Sequence, residues 1–330
     1  MKITVLSDGA WGTALACVLV NNGHDVTMWG PFPEYIEEMR KKRINSKFLP
    51  GVTLDDRLKF ESDMASAVRD SSVLLLATPS QYLRSVLDKL KLVFDPAKHL
   101  VINVAKGIEV DSWLRMSEVV SLILGDCRYV VLSGPSHAEE VSRKVPTLVV
   151  AASKNIKDSE IVRDLFMNDY FRVYTSNDIL SVELGGALKN VMAIAAGIID
   201  GMKLGDNPKA ALITRGIAEM SRLGVALGGD LQTFSGLSGI GDLIVTCCSG
   251  HSRNRHVGEC LGRGQQLDKI ISDMGMVVAE GVVTAQGARY LAEKAKVETP
   301  IINEIYNILY NNKSAETAMR ELMTRSPKQE

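Results

Sequence analysis

The sequence predicts a doubly wound, mostly parallel α/β sheet followed by an all-helical domain. Three observations carry that prediction. The opening MKITVLSDGAWGTALACVLVNNGHDVTMWG reads as strand, glycine turn, helix and strand. Short β-branched runs then alternate with amphipathic stretches through the first half, as in sheets covered by helices on both faces. After about Asn177 the strand signals fade and helical patterns take over. The boundary falls near residues 176–185, which divides the chain into 1–180 and 181–330.

The expected strands are Ile3–Leu6, Asp25–Trp29, Val73–Ala77, Leu100–Val104, Tyr129–Leu132, Thr147–Ala151 and Phe171–Tyr174. Helices are expected between them at Thr13–Asn22, Pro33–Lys42, Gln81–Phe94 and Asp158–Met167. The second half should hold helices at Ile179–Asp200, Lys209–Leu227, Asn254–Arg263, Val282–Lys296, Ile301–Asn311 and Ala315–Arg325.

Composition narrows the class of molecule. A chain of 330 residues, 46% hydrophobic and 23% charged, has the make-up of a globular protein with room for two cores. A formal net charge of −1 argues against nucleic acid as a partner. No stretch reaches the roughly 18 strongly apolar residues of a membrane span, and the run Leu184–Ile199 is short and glycine-rich. The opening reads directly as a strand without a secretory leader pattern. Five cysteines form no CxxC pair, so reduced thiols in a cytoplasmic protein are expected, with no metal site.

In the glycine turn, Gly9 and Gly12 fit the second and third positions of GxGxxG. There, backbone N–H groups and a helix N-terminus face a pyrophosphate. The turn opens a βαβ unit at the start of the chain, so a Rossmann-type dinucleotide site is expected. Ser7 stands in place of the first glycine, and Asp8 adds a negative charge. The second strand ends Trp29-Gly30-Pro31-Phe32, with neither the acid of NAD binders nor the base of NADP binders. The choice between NAD and NADP stays open, and poor discrimination is expected. The basic run Arg40–Arg43 reads as a solvated helix end.

The most informative residue is Lys189, the only charge in LGGALKNVMAIAAGII. Lysine is rarely buried without a partner, and its helical neighbours Gly185, Gly186 and Ala193 are small. Such a setting suits a proton donor; the plainer reading is a lysine snorkelling to water. Four loops add further chemistry. VAKGIE brings Lys106 to the carboxyl edge of the sheet, and LSGPSHAE brings Gly134, Ser136 and Ala138. GLSGIGDL reads as a glycine-rich turn presenting Asp242. SGHSRNR sets Ser252, Arg253 and Asn254 ahead of a helix, a combination suited to a phosphate.

The ordered set GAWGTALA, AKGIE, LSGPSHAEE, GGALKNVMAIAAG, TRGIAEM, GIGDLIVTC, SRNR and AEG resembles the NAD(P)-dependent glycerol-3-phosphate dehydrogenase family, over residues 3 to about 325. The resemblance implies reversible reduction of dihydroxyacetone phosphate to sn-glycerol 3-phosphate, which supplies phospholipid synthesis. By motif, Lys189 resembles the catalytic proton carrier. Lys106, Gly134, Ser136, Asn190, Asp242, Ser252, Arg253 and Asn254 resemble substrate contacts. Gly9, Ala10, Trp11, Gly12, Lys106, Ala138, Arg253, Val278 and Glu280 resemble cofactor contacts. Ser7, Asp8 and Pro31-Phe32 depart from the family pattern.

A free lysine titrates near 10.4, so desolvation and a nearby cation such as Lys106 would have to lower it, with Asp242 and Asn190 orienting the ammonium. On this reading Lys189→Met should lower turnover by roughly 10²–10⁴-fold while stability holds or rises. The alternatives are a related two-domain dehydrogenase for another small hydroxy acid, and a non-catalytic nucleotide-sensing protein. The partner is a small phosphate ester, and an apolar helical domain makes a homodimer plausible.

Overall fold

The computed structural model describes residues 1–275, 279–327 and 329. The chain forms two compact units: Met1–Lys106 with Leu114–Glu183, and Gly107–Trp113 with Leu184–Glu330.

The first unit is built on strands β1 (Lys2–Leu6), β2 (Asp25–Trp29), β3 (Ile44–Asn45), β4 (Leu49–Thr53), β5 (Lys59–Glu61), β6 (Val73–Leu76), β7 (Leu100–Asn103), β8 (Arg128–Ser133), β9 (Thr147–Ala152) and β10 (Phe171–Ser176). Eight of them form one sheet in the order β10-β9-β8-β7-β6-β1-β2-β5. Every pair in it is parallel except β8 with β9. The apolar runs VLLL and LVIN of β6 and β7 are wholly buried, as strands covered on both faces must be. Ile3 and Val5 enter one core layer, and Leu6, Leu74 and Leu76 the other.

Between the strands run α1 (Ala10–Asn21), α2 (Pro33–Lys42), α3 (Met64–Val68), α4 (Leu83–Leu90), α5 (Met116–Leu124), α6 (Ala138–Ser142) and α7 (Ile156–Phe166). Strand β1 sits between β2 and β6, so the strand order reverses beside it. Crevices at such reversals, outside the carboxyl ends of the strands, are where doubly wound sheets bind ligands.

The short elements were absent from the sequence reading. β3 and β5 have two and three residues, too few for a period to show, and β4 carries Pro50-Gly51. The five-residue helix α3 is too short as well, and the nine-residue α5 was not among the helices expected. At the end of α2, Arg40, Lys41 and Lys42 pair with Glu37 and Glu38 at the surface, as a solvated helix end should.

The second unit consists of α8 (Ile179–Gly201, whose first turn belongs to the first unit), α9 (Asp206–Ala226), α10 (Leu231–Phe234), a π-helical segment Leu237–Gly241, α11 (Asp242–Cys248), α12 (Arg253–Gly262), α13 (Leu267–Met274), α14 (Glu280–Ala295), α15 (Pro300–Tyr310) and α16 (Ala315–Met323). At 23 residues α8 is longer than its apolar run suggested, and by length and mean hydropathy it could cross a membrane. Its apolar window is entirely buried within the protein, so it is a core helix. Its small residues admit α12 at backbone distance. A β-carbon at Gly197 would collide with the Arg255 carbonyl, and one at Gly258 with that of Ile194. The helix carrying Lys189 and the helix carrying Arg253 and Asn254 are thereby locked together.

Glu219 of α9 replaces a missing helix cap. Its carboxylate accepts from the backbone N–H groups of Ile301 (3.0 Å) and Ile302 (2.8 Å) at the start of α15, where Thr299 provides no side-chain cap. Burial pushes its pKa up to about 7, against the pull of those two N–H groups and of Arg222 and Arg325. The folded protein therefore holds a proton that the unfolded chain releases near pH 4.5. That contribution, up to about 3 kcal/mol, is fully present below about pH 4.5 and is lost as pH rises through about 7. Glu219→Gln is expected to flatten the fall in melting temperature across that window. An unchanged slope in thermal scans would assign the pH dependence elsewhere.

Candidate active site

In the first unit, β1 ends one residue before Ser7, and α1 begins at Ala10 with Gly9 as its N-cap. No side chain caps this terminus, so its first-turn N–H groups are left for another acceptor. The Ser7 hydroxyl accepts from Gly9 N–H at 3.0 Å and shapes the turn in place of the missing first glycine. A β-carbon at Gly12 would lie 3.1 Å from Ser7 Cβ and 3.2 Å from Ala77 Cβ, so this glycine brings α1 down on β1 and β6. Two buried polar atoms near the turn, Asp8 Oδ2 and Trp11 Nε1, have no hydrogen-bond partner among the described residues. Burial raises the Asp8 carboxyl above the usual carboxylate range, opposed by its backbone hydrogen bond and by Lys47. An uncapped helix terminus and two orphaned polar atoms beside a glycine turn fit a dinucleotide. Gly9, Ala10, Trp11 and Gly12 would hold its pyrophosphate.

The carboxyl ends of β7 and β8 bring a second group together. Lys106 Nζ donates to the Gly134 carbonyl at 2.9 Å, and Ser136 Oγ donates to the same oxygen at 2.8 Å. Gly134 has φ +146°, a conformation L side chains rarely adopt, which is why glycine stands there. Ala138 begins α6 and is buried.

In the helical unit, Lys189 is 7% exposed and does not snorkel. Its Nζ donates to Asp242 Oδ1 and to Thr246 Oγ1, both at 2.8 Å. Asp242 is 1% exposed. The segment expected to be a glycine-rich turn is instead the π-helical Leu237–Gly241, which runs straight into α11 with Asp242 as its first residue. Small residues again explain the approach, because a β-carbon on Gly185 would lie 2.5 Å from the Ser238 carbonyl. Thr246 was missed by the sequence reading. It lies four residues after Asp242, on the same helical face, a relation visible only once that segment is helical.

Asn190 donates to the Gly186 carbonyl at 3.3 Å and accepts from Asn254 Nδ2 at 3.0 Å. Asn254 Oδ1 in turn accepts from Gly281 N–H at 2.8 Å, tying α8, α12 and the start of α14 together. Ser252 caps α12 by accepting from Arg255 N–H at 3.2 Å, and Arg253 is exposed at the first position of that helix. Glu280 opens α14 and is half-buried. Val278 lies outside the described residues.

Two family models match the chain. The N-terminal model of NAD-dependent glycerol-3-phosphate dehydrogenase covers residues 2–159, and the C-terminal model covers residues 178–320. A relative from Chlorobium phaeobacteroides, named as an NAD(P)+ glycerol-3-phosphate dehydrogenase, is 50% identical over 100% of this chain and 99% of its own length. One of the same name from Bacillus velezensis is 49% identical over 98% of this chain and 94% of its own. The crystal structure of glycerol-3-phosphate dehydrogenase from Coxiella burnetii superimposes with a TM-score of 0.94 at 36% identity, covering 98% of this chain and 99% of that one. The chain belongs to the NAD-dependent glycerol-3-phosphate dehydrogenase family.

Proposed function

We propose that Lys189 carries the proton in the reversible reduction of dihydroxyacetone phosphate to sn-glycerol 3-phosphate, and that the chain performs this NAD(P)-dependent reaction in the cytoplasm for phospholipid synthesis. The observation that carries the reading is the buried Lys189, held by Asp242 and Thr246 beside Asn190. Gly9, Ala10, Trp11 and Gly12 would hold the dinucleotide, which when bound would supply the hydride for the carbonyl carbon. As charge builds on the carbonyl oxygen, Lys189 Nζ delivers a proton to it, and it removes that proton in the oxidative direction. Asp242 and Thr246 aim the ammonium, and Asp242 offsets its charge.

Arg253, Ser252 and Asn254 stand at the start of α12, where a guanidinium and the helix dipole attract a phosphate dianion. Lys106, Gly134 and Ser136 complete the proposed substrate contacts. Gly9, Ala10, Trp11, Gly12, Lys106, Ala138, Arg253, Val278 and Glu280 are the proposed cofactor contacts.

The ion pair changes what removing the lysine should do. Lys189→Met alone removes the ammonium that offsets the charge of the buried Asp242 carboxylate. It is expected to lower stability by about 3–5 kcal/mol, not preserve it. Turnover should fall by roughly 10²–10⁴-fold. Adding Asp242→Asn should recover much of the melting temperature and none of the turnover. Turnover restored together with the melting temperature would reduce the lysine to a folding residue.

Phosphate recognition is tested separately. Arg253→Ala should raise KM for dihydroxyacetone phosphate and cut kcat/KM, while unphosphorylated dihydroxyacetone, already a poor substrate, loses far less. Equal losses on both substrates would assign Arg253 to the cofactor or to the fold.

A further inference from the structure

We propose that Asp8 makes this chain prefer NADH over NADPH by supplying, from the glycine turn, the carboxylate that other NAD binders carry at the end of β2. The inference rests on the dinucleotide reading of the turn. In doubly wound NAD sites an acid ending the second strand accepts from the adenosine ribose 2′-hydroxyl, and NADP sites put a base there. Here β2 ends at Trp29 and Gly30 follows it, with no side chain to offer.

The strand register explains how Asp8 fills the gap. Leu6 of β1 pairs with Trp29 of β2, so the residues just past β1 come level with Gly30. A β-carbon on Gly30 would fall 2.9 Å from Asp8 Oδ2 and 3.0 Å from Asp8 Cβ. The space that a β2-terminal side chain would take is thus held by the Asp8 side chain together with Ile36 Cδ1, which would lie 2.7 Å away. Glycine at position 30 is what lets it in.

Two further observations make this a built site. Asp8 is nine-tenths buried, and its Oδ2 has no hydrogen-bond partner among the described residues. A desolvated carboxylate oxygen with no donor gains from a hydroxyl that donates to it, and rotation about χ2 presents either oxygen. The turn is also pinned. Asn45 Nδ2 donates to the Asp8 carbonyl at 2.8 Å and to Thr13 Oγ1 at 2.7 Å, and Tyr35 Oη donates to Asn45 Oδ1 at 2.6 Å. The backbone that carries the carboxylate is therefore fixed beside Gly30.

The opposing group is Lys47, whose Nζ lies 4.3 Å from the Tyr35 ring centroid and interacts with Asp8. Lys47 is exposed and screened by solvent, whereas the Asp8 charge is buried, so the acid dominates the choice. This replaces the even preference expected from linear spacing alone.

Fluorescence titration of the full chain with NADH and with NADPH tests the assignment without turnover. The wild-type chain is expected to bind NADH at least about tenfold more tightly. Asp8→Asn should narrow the ratio to within about threefold, chiefly by tightening NADPH, and Lys47→Ala should leave a preference for NADH. Equal wild-type affinities overturn the proposal, even if the variant does not fold, and so does a ratio unchanged in Asp8→Asn. A preference for NADPH that Lys47→Ala abolishes would make the lysine the discriminator. If neither dinucleotide binds, the reading of the turn falls together with the assignment, whereas equal binding removes only the role of Asp8.

Discussion

A lysine and an aspartate, both almost wholly buried, face each other at 2.8 Å, and the helical unit is arranged around that pair. Taking two charges out of water costs several kcal/mol per ion unless their geometry is good and their remaining hydrogen bonds are met. Asp242 opens α11 directly after the π-helical segment, which carries it to Lys189. Thr246 takes a second proton of the ammonium, and its own hydroxyl donates to the Asp242 carbonyl at 2.6 Å. The π-helical segment comes close enough because Gly185 yields the space. Contact between α8 and α12 sets Asn190 against Asn254 through glycines that admit no side chain. Removing any of these small residues would move a charge that the site needs fixed.

The sheet solves a different problem. Its reversal beside β1 collects the glycine turn and the carboxyl ends of β6 and β2. Lys106, Gly134 and Ser136 share one carbonyl oxygen as their meeting point, so the strained conformation of Gly134 is held by two donors. Asp8 is one of the residues at which the turn departs from the family resemblance. It is costly where it lies, which is the usual mark of a side chain kept for binding rather than for stability.

Much of this was legible in the chain itself. The long periodic segments and the buried run around Lys189 follow from pattern and local chemistry. What escaped needed tertiary structure. Thr246 has no signal until Asp242 begins a helix, and GLSGIGDL reads as a turn because three glycines mask the π-helical segment. The place of Asp8 beside Gly30 depends on pairing two strands about 20 residues apart, which a rule that counts forward from the glycines passes over. The partner that makes Lys189→Met destabilising could be suggested from sequence, but its burial could not. The short strands and helices carry too few residues for any period to register.

The central claim is that Lys189 delivers the proton, and chemical rescue tests it most directly. Lys189→Ala leaves a cavity lined by the Asp242 carboxylate, which should draw in a small primary ammonium from solution. With methylamine or ethylamine present, the account predicts that lost turnover returns in part and saturably, while tetramethylammonium, a cation with no proton to give, restores nothing. Equal rescue by the quaternary ion, or undiminished turnover with no amine added, would contradict it.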